Sequence, residues 1–497
     1  MSLLVGLDVG TTGAYAVAID EGGRVIASAG SEYPTFVLRP GWLEQDPYDW
    51  WRAGREVLGR VAGEVGSGVA AIGLAGQMHT AVFLDQQLDV VRPALLWNDR
   101  RASRQSEQIA DRIGAERLTE ITGNAASPTF PAPKVLWLRD VEPVQYRHVR
   151  HLLLPKDYLR LMLTGALATD VSDASGTMLF DLRRRDWSAQ ILAALDIPRE
   201  WLPIVHESAQ PAGELLPEVA RELGIAAGIP VAAGAGEHAA AAIANAIIVE
   251  DCVSASIDAR GTLSAYREAL TIDRSGQLQA YCHALPQGYQ VLALTPAAAT
   301  AVHWWNEMLG GRMTEDELIK LAEAVPPGAD GLLFLPPLTA GASTLDGGTR
   351  GAFVGLRTHH TPAHLTRAVM EGIVLALRVQ LDVMRQAGVD PRIIRATGMG
   401  GKRGFWRRLQ ADVFNLPVQH MEADLGPAYG AALLAGVAAG VFPDVDRTAA
   451  LVTVSERVNQ PDPRRAVAYE TIYGRFRQLY PALRASASPS RARLSES

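Results

Sequence analysis

The sequence predicts an α/β protein of two domains, and three observations carry that expectation. The 497 residues exceed what one hydrophobic core usually serves. Apolar strand-like runs alternate along the chain with segments of helical period. One local plan, a strand, an Asp/Gly/Thr turn and a second strand, occurs at Leu4 to Asp20 and again, as a weak internal repeat, at Cys252 to Tyr266. With 48% hydrophobic and 20% charged residues, the chain has enough apolar side chains for large cores.

In the first hairpin, Leu4-Val5-Gly6-Leu7 leads into Asp8, Val9-Gly10-Thr11-Thr12-Gly13 turns the chain, and Ala14 to Asp20 returns as a strand. Gly10 and Gly13 can adopt φ > 0 and let successive backbone N–H groups converge on an anion. Thr11 and Thr12 add hydroxyl donors, and Asp8 can hold a hydrated Mg²⁺ against phosphates. An ordinary Gly-rich hairpin has the same pattern, so the turn alone does not decide.

Further along, Gly22-Gly23 makes a second turn and Arg24 to Ala29 a third strand. Pro34 to Pro47 reads as a loop, and Asp46-Pro47 starts a helix running to about Glu64. Val69 to Leu74 is a short buried strand that ends in Gly76-Gln77-Met78-His79. Polar residues at a strand end commonly line a binding crevice in α/β proteins, although a satisfied core histidine explains His79 as well. Ala94 to Leu96 is a strand entering Trp97-Asn98-Asp99, and a charged helix follows from Ser103 to Ile113. Lys134 to Leu138 is helical, as is Leu152 to Leu163 with Pro155-Lys156-Asp157-Tyr158 at its head, and Asp170 to Thr177 reads as a polar loop.

Pro230 to Ala239 is a strand that breaks at small residues and opens an Ala-rich helix at Glu237-His238. The macrodipole favours a carboxylate there, and a capping acid is the plainer reading. The second hairpin turns at Asp258-Ala259-Arg260-Gly261-Thr262. Gly331 to Pro337 is a strand before a Gly-rich loop through Gly351, and Pro362 to Gln386 is a long helix. The strand Ile393 to Ala396 meets the turn Gly398-Met399-Gly400-Gly401-Lys402, ahead of a helix from Phe405 to Phe414. Gly426 to Ala432 puts small residues into the next helix, which suits a close approach to a ligand or to another helix. Two lobes, each starting from such a hairpin, would set two turns across a cleft that closes on a phosphorylated ligand.

Several classes are disfavoured. A net charge of -7 gives no basic field for nucleic acid, and Arg183-Arg184-Arg185 and Arg407-Arg408 read as solvated faces. Cys252 and Cys282 are too few for a disulfide scaffold, no Cys/His spacing suits zinc, and His359-His360 reads as a surface pair. The N-terminal apolar run meets Asp8 at once, unlike a signal peptide, and the most membrane-like run, Val231 to Val249, is interrupted by Glu237 and His238. A cytoplasmic protein with no membrane and no nucleic-acid partner is expected.

Together these stretches resemble the FGGY carbohydrate kinases over nearly the whole chain. The most specific segments are Gly76-Gln77-Met78-His79, Arg92 to Asp99, Leu154 to Leu161, Ser172 to Met178 and Tyr281-Cys282-His283-Ala284-Leu285-Pro286. The resemblance implies two actin-like (ribonuclease H-like) domains around a central cleft. Residues 1–249 would bind mainly sugar and 250–484 mainly ATP, with 485–497 a disordered tail. It implies ATP-dependent phosphorylation of a ketopentose, D-xylulose foremost, with Mg²⁺ and often as a homodimer. Asp8 would organise Mg²⁺, and Gly10, Thr11, Thr12 and Gly13 would face the transferring phosphate. Gln77, Met78, His79, Trp97, Asp99 and His238 would line the sugar site, and Glu237 would bind the sugar and take the hydroxyl proton. Arg260, Gly261, Thr262, Gly398, Gly400, Gly401 and Lys402 would serve the nucleotide. In-line phosphoryl transfer needs these parts: positioning, charge neutralisation and one carboxylate base.

The departures from the family pattern fall on the catalytic and nucleotide side. Glu237-His238 stands for Asp-Asn, Asp258-Ala259-Arg260-Gly261 for Gly-Thr-Ser-Gly, and Ala340 to Thr344 for Gly-Glu-Arg-Thr-Pro. Met399 and Arg403 replace small residues, and Tyr15 takes a common lysine position. Glu reaches roughly an ångström farther than Asp, a displacement that can cost about 10²-fold in rate. A sugar-binding relative with impaired catalysis, acting as a sensor, is therefore an alternative, as is a kinase for another sugar or a polyol.

Overall fold

The computed structural model describes residues 2–295, 297–336, 351–421 and 426–486. The loop Ala340 to Thr344 and residues 487–497 of the expected tail lie outside them, while the first two residues of that tail, Ala485 and Ser486, end the helix Pro463–Ser486. Contacts divide the chain into two compact units. The first is Met1–Glu250 with Tyr266–Val291 and Leu425–Thr453, and the second is Asp251–Ala265 with Leu292–Asp424 and Val454–Ser497.

The first unit is built on a mixed sheet. Its strand order is Pro211–Glu214, Pro230–Ala232, Val69–Gly76, Leu3–Val9, Gly13–Ile19 and Val25–Glu32, and Ala235–Gly236 also pairs with Val69–Gly76. Leu3–Val9 is antiparallel to its hairpin partner, with Asp8 opposite Tyr15, and parallel to Val69–Gly76, with Asp8 opposite Ala75. Side chains alternate across a sheet, so residues 5, 7 and 9 share one face and residues 4, 6 and 8 the other. Val5, Leu7 and Val9 meet Trp50, Ala53 and Val57 of the helix Pro47–Val65 in one core cluster. That helix starts as expected, with Pro47 in its first turn and Asp46 accepting from the Tyr48 N–H.

The opposite face is covered by the late helix Gly426–Ala438. A methyl group on Gly6 would lie 1.8 Å from the Ala428 carbonyl oxygen, and one on Gly430 would lie 1.9 Å from that of Ala240. Small residues here let main chains meet, so this helix makes its close approach to a sheet and another helix.

Three expectations for the first unit need correction. Pro34 to Pro47 is not a plain loop: Phe36–Arg39 and Trp42–Gln45 pair antiparallel across a turn at Gly41, whose φ is 81°. Leu152 to Leu163 is not all helix, because His151–Leu153 is a strand and Pro155 opens the helix Pro155–Thr164. Asp170 to Thr177 is not a polar loop but a buried helical turn, Val171–Ala174, capped by Asp170 and followed by Ser175–Thr177.

In the second unit, Cys252–Ile257 pairs antiparallel with Gly261–Arg267 and parallel with Ile393–Thr397, which pairs parallel with Val418–Met421. The long helix Pro362–Gln386 has the expected bounds. Gly398–Lys402 is a short helix rather than an open turn, and Gly404–Phe414 follows it. Cys252 and Cys282 are buried free thiols. Among the described residues no helix is long and apolar enough to cross a membrane.

Candidate active site

The turn after Asp8 is held from several sides. The Tyr33 hydroxyl donates to the Gly10 carbonyl at 2.5 Å and Gln77 Nε2 donates to it at 3.2 Å. Gln45 Nε2 donates to the Thr11 carbonyl at 2.7 Å, and Trp97 Nε1 to Thr11 Oγ1 at 2.9 Å. Such a cage fixes the backbone of a Gly-rich turn before any ligand arrives, which lowers the ordering cost of binding. Gln77 and Trp97, expected at the sugar, thus hold Gly10 and Thr11. Burial, the nearby carboxylates of Asp8 and Glu237 adding to it, raises the Tyr33 phenol well above its ordinary range, so Tyr33 is a neutral donor.

Asp8 belongs to the sheet face that carries Gly6. Its Oδ1 is closed to solvent and accepts no hydrogen bond among the described residues. Burial, with the Glu237 charge added, pushes its carboxyl up to about 8. A buried oxygen left without a donor fits a cation ligand, since a divalent ion favours the carboxylate form.

Glu237 is the first residue of the helix Glu237–Ala244, where the helix dipole supports negative charge. Gly236 just before it packs on Met78: a methyl group there would lie 2.9 Å from Met78 Cγ. Gly176 packs the same way on His79, with 2.8 Å to Nδ1. These contacts bring Met78, His79 and the start of the Glu237 helix together. His79 has φ 64°, an uncommon conformation for a side chain of this size. Its Nδ1 lies 2.7 Å from the Gly176 carbonyl, which can only accept, so Nδ1 carries a proton. The Tyr281 hydroxyl stands 3.4 Å from Nε2. Gln290 Nε2 donates to the His238 carbonyl at 3.0 Å.

Behind these residues lies a buried ion cluster. Lys156 Nζ is 2.6 Å from Asp157, 2.9 Å from Asp170 and 3.4 Å from Asp173. Arg160 pairs with Asp157 at 2.9 Å and donates to the carbonyls of Ala168 and Ala233. Burial alone would depress the Lys156 ammonium, but three carboxylates hold it above its ordinary range. Burial pushes the Asp173 carboxyl well above its ordinary range, against the pull of the Lys156 ammonium. The cluster reaches the site directly: Ser172 Oγ donates to Asp170 and accepts from the Gly236 N–H at 3.0 Å.

Asp99 is buried in a second network. It pairs with Arg101 at 2.8 Å and accepts from the Leu43 N–H at 2.7 Å, while Arg101 also meets Glu44 at 2.6 Å. Lys134, missed as a site residue, donates to the His79 carbonyl at 2.6 Å and to the Thr129 carbonyl at 2.7 Å. A lone lysine in the apolar run Pro133 to Leu138 was its only signal. Tyr33 and Gln45 gave none.

In the second unit, Gly261 pairs with Ile257 and Thr262 with Ser256, so Arg260 stands at the bend. The Gly261 N–H donates to Thr295 Oγ1 at 3.1 Å. Gly398, Gly400 and Gly401 are buried, Lys402 is exposed, and Gly398 has φ 60°. A methyl group on Gly398 would lie 2.4 Å from Asp258 Oδ1, which puts that carboxylate against the Gly turn.

The N-terminal-domain profile of the FGGY family of carbohydrate kinases matches residues 3–244, and its C-terminal-domain profile matches 269–439. The chain belongs to the FGGY family of carbohydrate kinases. It is 36% identical over 486 residues to the xylulose kinase of Escherichia coli strain K12, covering 97% of this chain and 99% of that protein. It is 32% identical over 499 residues to the glycerol kinase of Methylibium petroleiphilum, covering 94% and 97%. The structure of ligand-bound xylulose kinase from Lactobacillus acidophilus matches with a TM-score of 0.93 at 26% identity, covering 98% of this chain and 99% of that one. This FGGY kinase accordingly has the α/β fold of two actin-like domains and is a phosphotransferase that uses ATP.

Proposed function

We propose that the protein transfers the γ-phosphoryl group of ATP to a ketopentose, converting D-xylulose to D-xylulose 5-phosphate, with Glu237 as the base. The observation that carries this reading is the pairing of Asp8, with its donorless buried oxygen, and Glu237, whose charge Asp8 feels. Asp8 would hold Mg²⁺, which when bound supplies charge neutralisation at the phosphates. Glu237 takes the proton of the attacking sugar hydroxyl, and Met78, His79 and His238 shape the sugar site. Gln77 and Trp97 act one step back, by fixing the turn that receives the phosphoryl group, and Asp99 by fixing the segment that carries Trp97. Residues 1–249 serve mainly the sugar and 250–484 mainly ATP, where Arg260, Gly261, Thr262, Gly398, Gly400, Gly401 and Lys402 serve the nucleotide. A cytoplasmic homodimer belongs to the same proposal, and sedimentation checks the dimer.

One observation favours a second reading. The Asp258 carboxylate lies against Gly398, where it opposes an incoming phosphate, as expected of a sugar-binding relative with weakened ATP use. The test is coupled ADP release with Mg-ATP and D-xylulose, other ketoses, glycerol and other polyols, for the native protein, Glu237→Asp and Glu237→Ala. Native turnover lowered at least about 10²-fold by Glu237→Ala establishes the base. Silence with every acceptor, alongside retained ketose binding, overturns the kinase reading in favour of the sensor.

A further inference from the structure

The sequence carries an arginine run, Arg183-Arg184-Arg185, for which the phosphoryl-transfer site has no use. Arg185 pairs with Glu207 at 2.7 Å. Arg183 and Arg184 instead border a cavity of about 500 Å³ in the first unit, and Arg117 and Arg274 border it too. That volume falls within the range of small-molecule sites, roughly 300–1,000 Å³.

The lining holds four arginines against two acids, Glu120 and Asp181, a surplus of two positive charges on a chain whose net charge is -7. Both acids are already engaged. Glu120 lies 3.3 Å from Arg117 and 3.9 Å from Arg274. Asp181 accepts from the backbone N–H groups of Arg183 and Arg184 at 3.0 and 3.1 Å, and stands 3.8 Å from the Arg184 side chain. Arg183 has no ion pair among the described residues. Planar guanidinium forks match phosphate oxygens two at a time, and an anion bound here would compete with Glu120 and Asp181 for the paired arginines. Ile121, Leu270 and Ile272 give the cavity an apolar wall for the remainder of an organic ligand.

The cavity is also connected to the sugar-side residues. Its helix, Ala115–Thr122, ends at Gly123, and Asn124 then brackets Ala280, donating to its carbonyl at 2.8 Å and accepting from its N–H at 3.3 Å. The next residue is Tyr281, whose hydroxyl faces His79. Arg274 lies on the segment that leads into this strand, Leu278–Cys282. An anion gripping Arg117 and Arg274 therefore acts on both partners of the Asn124–Ala280 contact.

We propose that this cavity is an effector site for a phosphorylated small molecule carrying two or more negative charges, and that its occupation alters sugar binding through Tyr281 and His79. The binding claim is independent of which sugar is phosphorylated, and only the coupling claim rests on His79 lining the sugar site.

The test uses calorimetric titration of the full chain with pyrophosphate at low salt and without metal, for the native protein and for the double variant Arg183→Ala/Arg274→Ala. Affinity at least about tenfold weaker in the variant, with its kcat for ADP release from Mg-ATP unchanged in the absence of pyrophosphate, supports the site. ADP and a sugar bisphosphate are titrated as further arms, and the one whose affinity falls in the variant names the ligand class. Equal pyrophosphate binding by the two proteins overturns the site. A several-fold shift in the KM for the sugar on adding pyrophosphate, absent in the variant, supports the coupling. Binding with no such shift overturns it.

Discussion

Lys134 is fully buried and, among the described residues, its ammonium donates to the carbonyls of His79 and Thr129, so it offers a quantitative test of how the His79 backbone is held. Burial pulls its ammonium from 10.5 down to about 7, against the attraction of Asp99 and with a small push from Arg101. The folded value lies below the unfolded one, so between pH 7 and about 10.5 the unfolded chain binds the extra proton and stability rises with pH. At about 1.4 kcal/mol per unit, and allowing for partial protonation near the lower end, the native protein gains about 2 kcal/mol from pH 7 to pH 9 through this one group. Lys134→Met abolishes that gain. A chain with two compact units need not unfold in one step, so the assay is urea titration read by hydrogen exchange in first-unit peptides. The native-minus-variant difference should grow by about 2 kcal/mol over that interval. A difference that stays flat from pH 7 to 9 refutes the buried, uncompensated ammonium. Because Lys134 fixes the His79 carbonyl, the variant should also raise the KM for the sugar more than it lowers kcat.

Other expectations are simpler. Trp97→Phe removes the 2.9 Å bond to Thr11 and should lower kcat about tenfold with little change in Tm, as measured by coupled ADP release and thermal melting. Asp8→Asn should reduce metal-dependent turnover by at least about 10²-fold while ketose binding by calorimetry persists, because its role lies with metal and phosphate. Gly430→Ala puts a methyl group 1.9 Å from a carbonyl oxygen and should cost about 3 kcal/mol, seen as a Tm lower by several degrees.

The parts of the site that sequence reveals are those where a local pattern carries the chemistry. Asp8 stands before a Gly/Thr turn, and Glu237 stands where small residues break a strand before an Ala-rich helix, so their places at a strand end and a helix start could be read from neighbours a few residues away; the roles proposed for them came from the family resemblance. Phe36–Arg39 was illegible for the opposite reason: all four residues are exposed, leaving no alternation to mark a strand between Pro34 and Pro40. Asp170 to Thr177 looks like a loop by composition, and its burial goes with a counter-charge distant in sequence, Lys156, which pairs with Asp170 and Asp173. Nothing local tells Lys134 which carbonyls it will meet, or a helix near residue 430 that it will cover strands from the start of the chain.

That last pairing has a consequence for how the protein is made. The face of the first sheet that carries Gly6 and Gly73 waits for the Gly426–Ala438 helix, whose last residue is synthesised 188 residues after Glu250 (438 minus 250). At about 5–20 residues per second the ribosome needs roughly 10–40 s to cross that distance. Throughout it the nascent first unit exposes an apolar groove that chaperones can occupy and proteases can find. A chain stopped at residue 291, which holds the rest of the first unit, should therefore be insoluble, and a separate peptide spanning residues 425–453 should rescue it in part. A soluble, protease-resistant fragment without that peptide would show that the sheet stands alone.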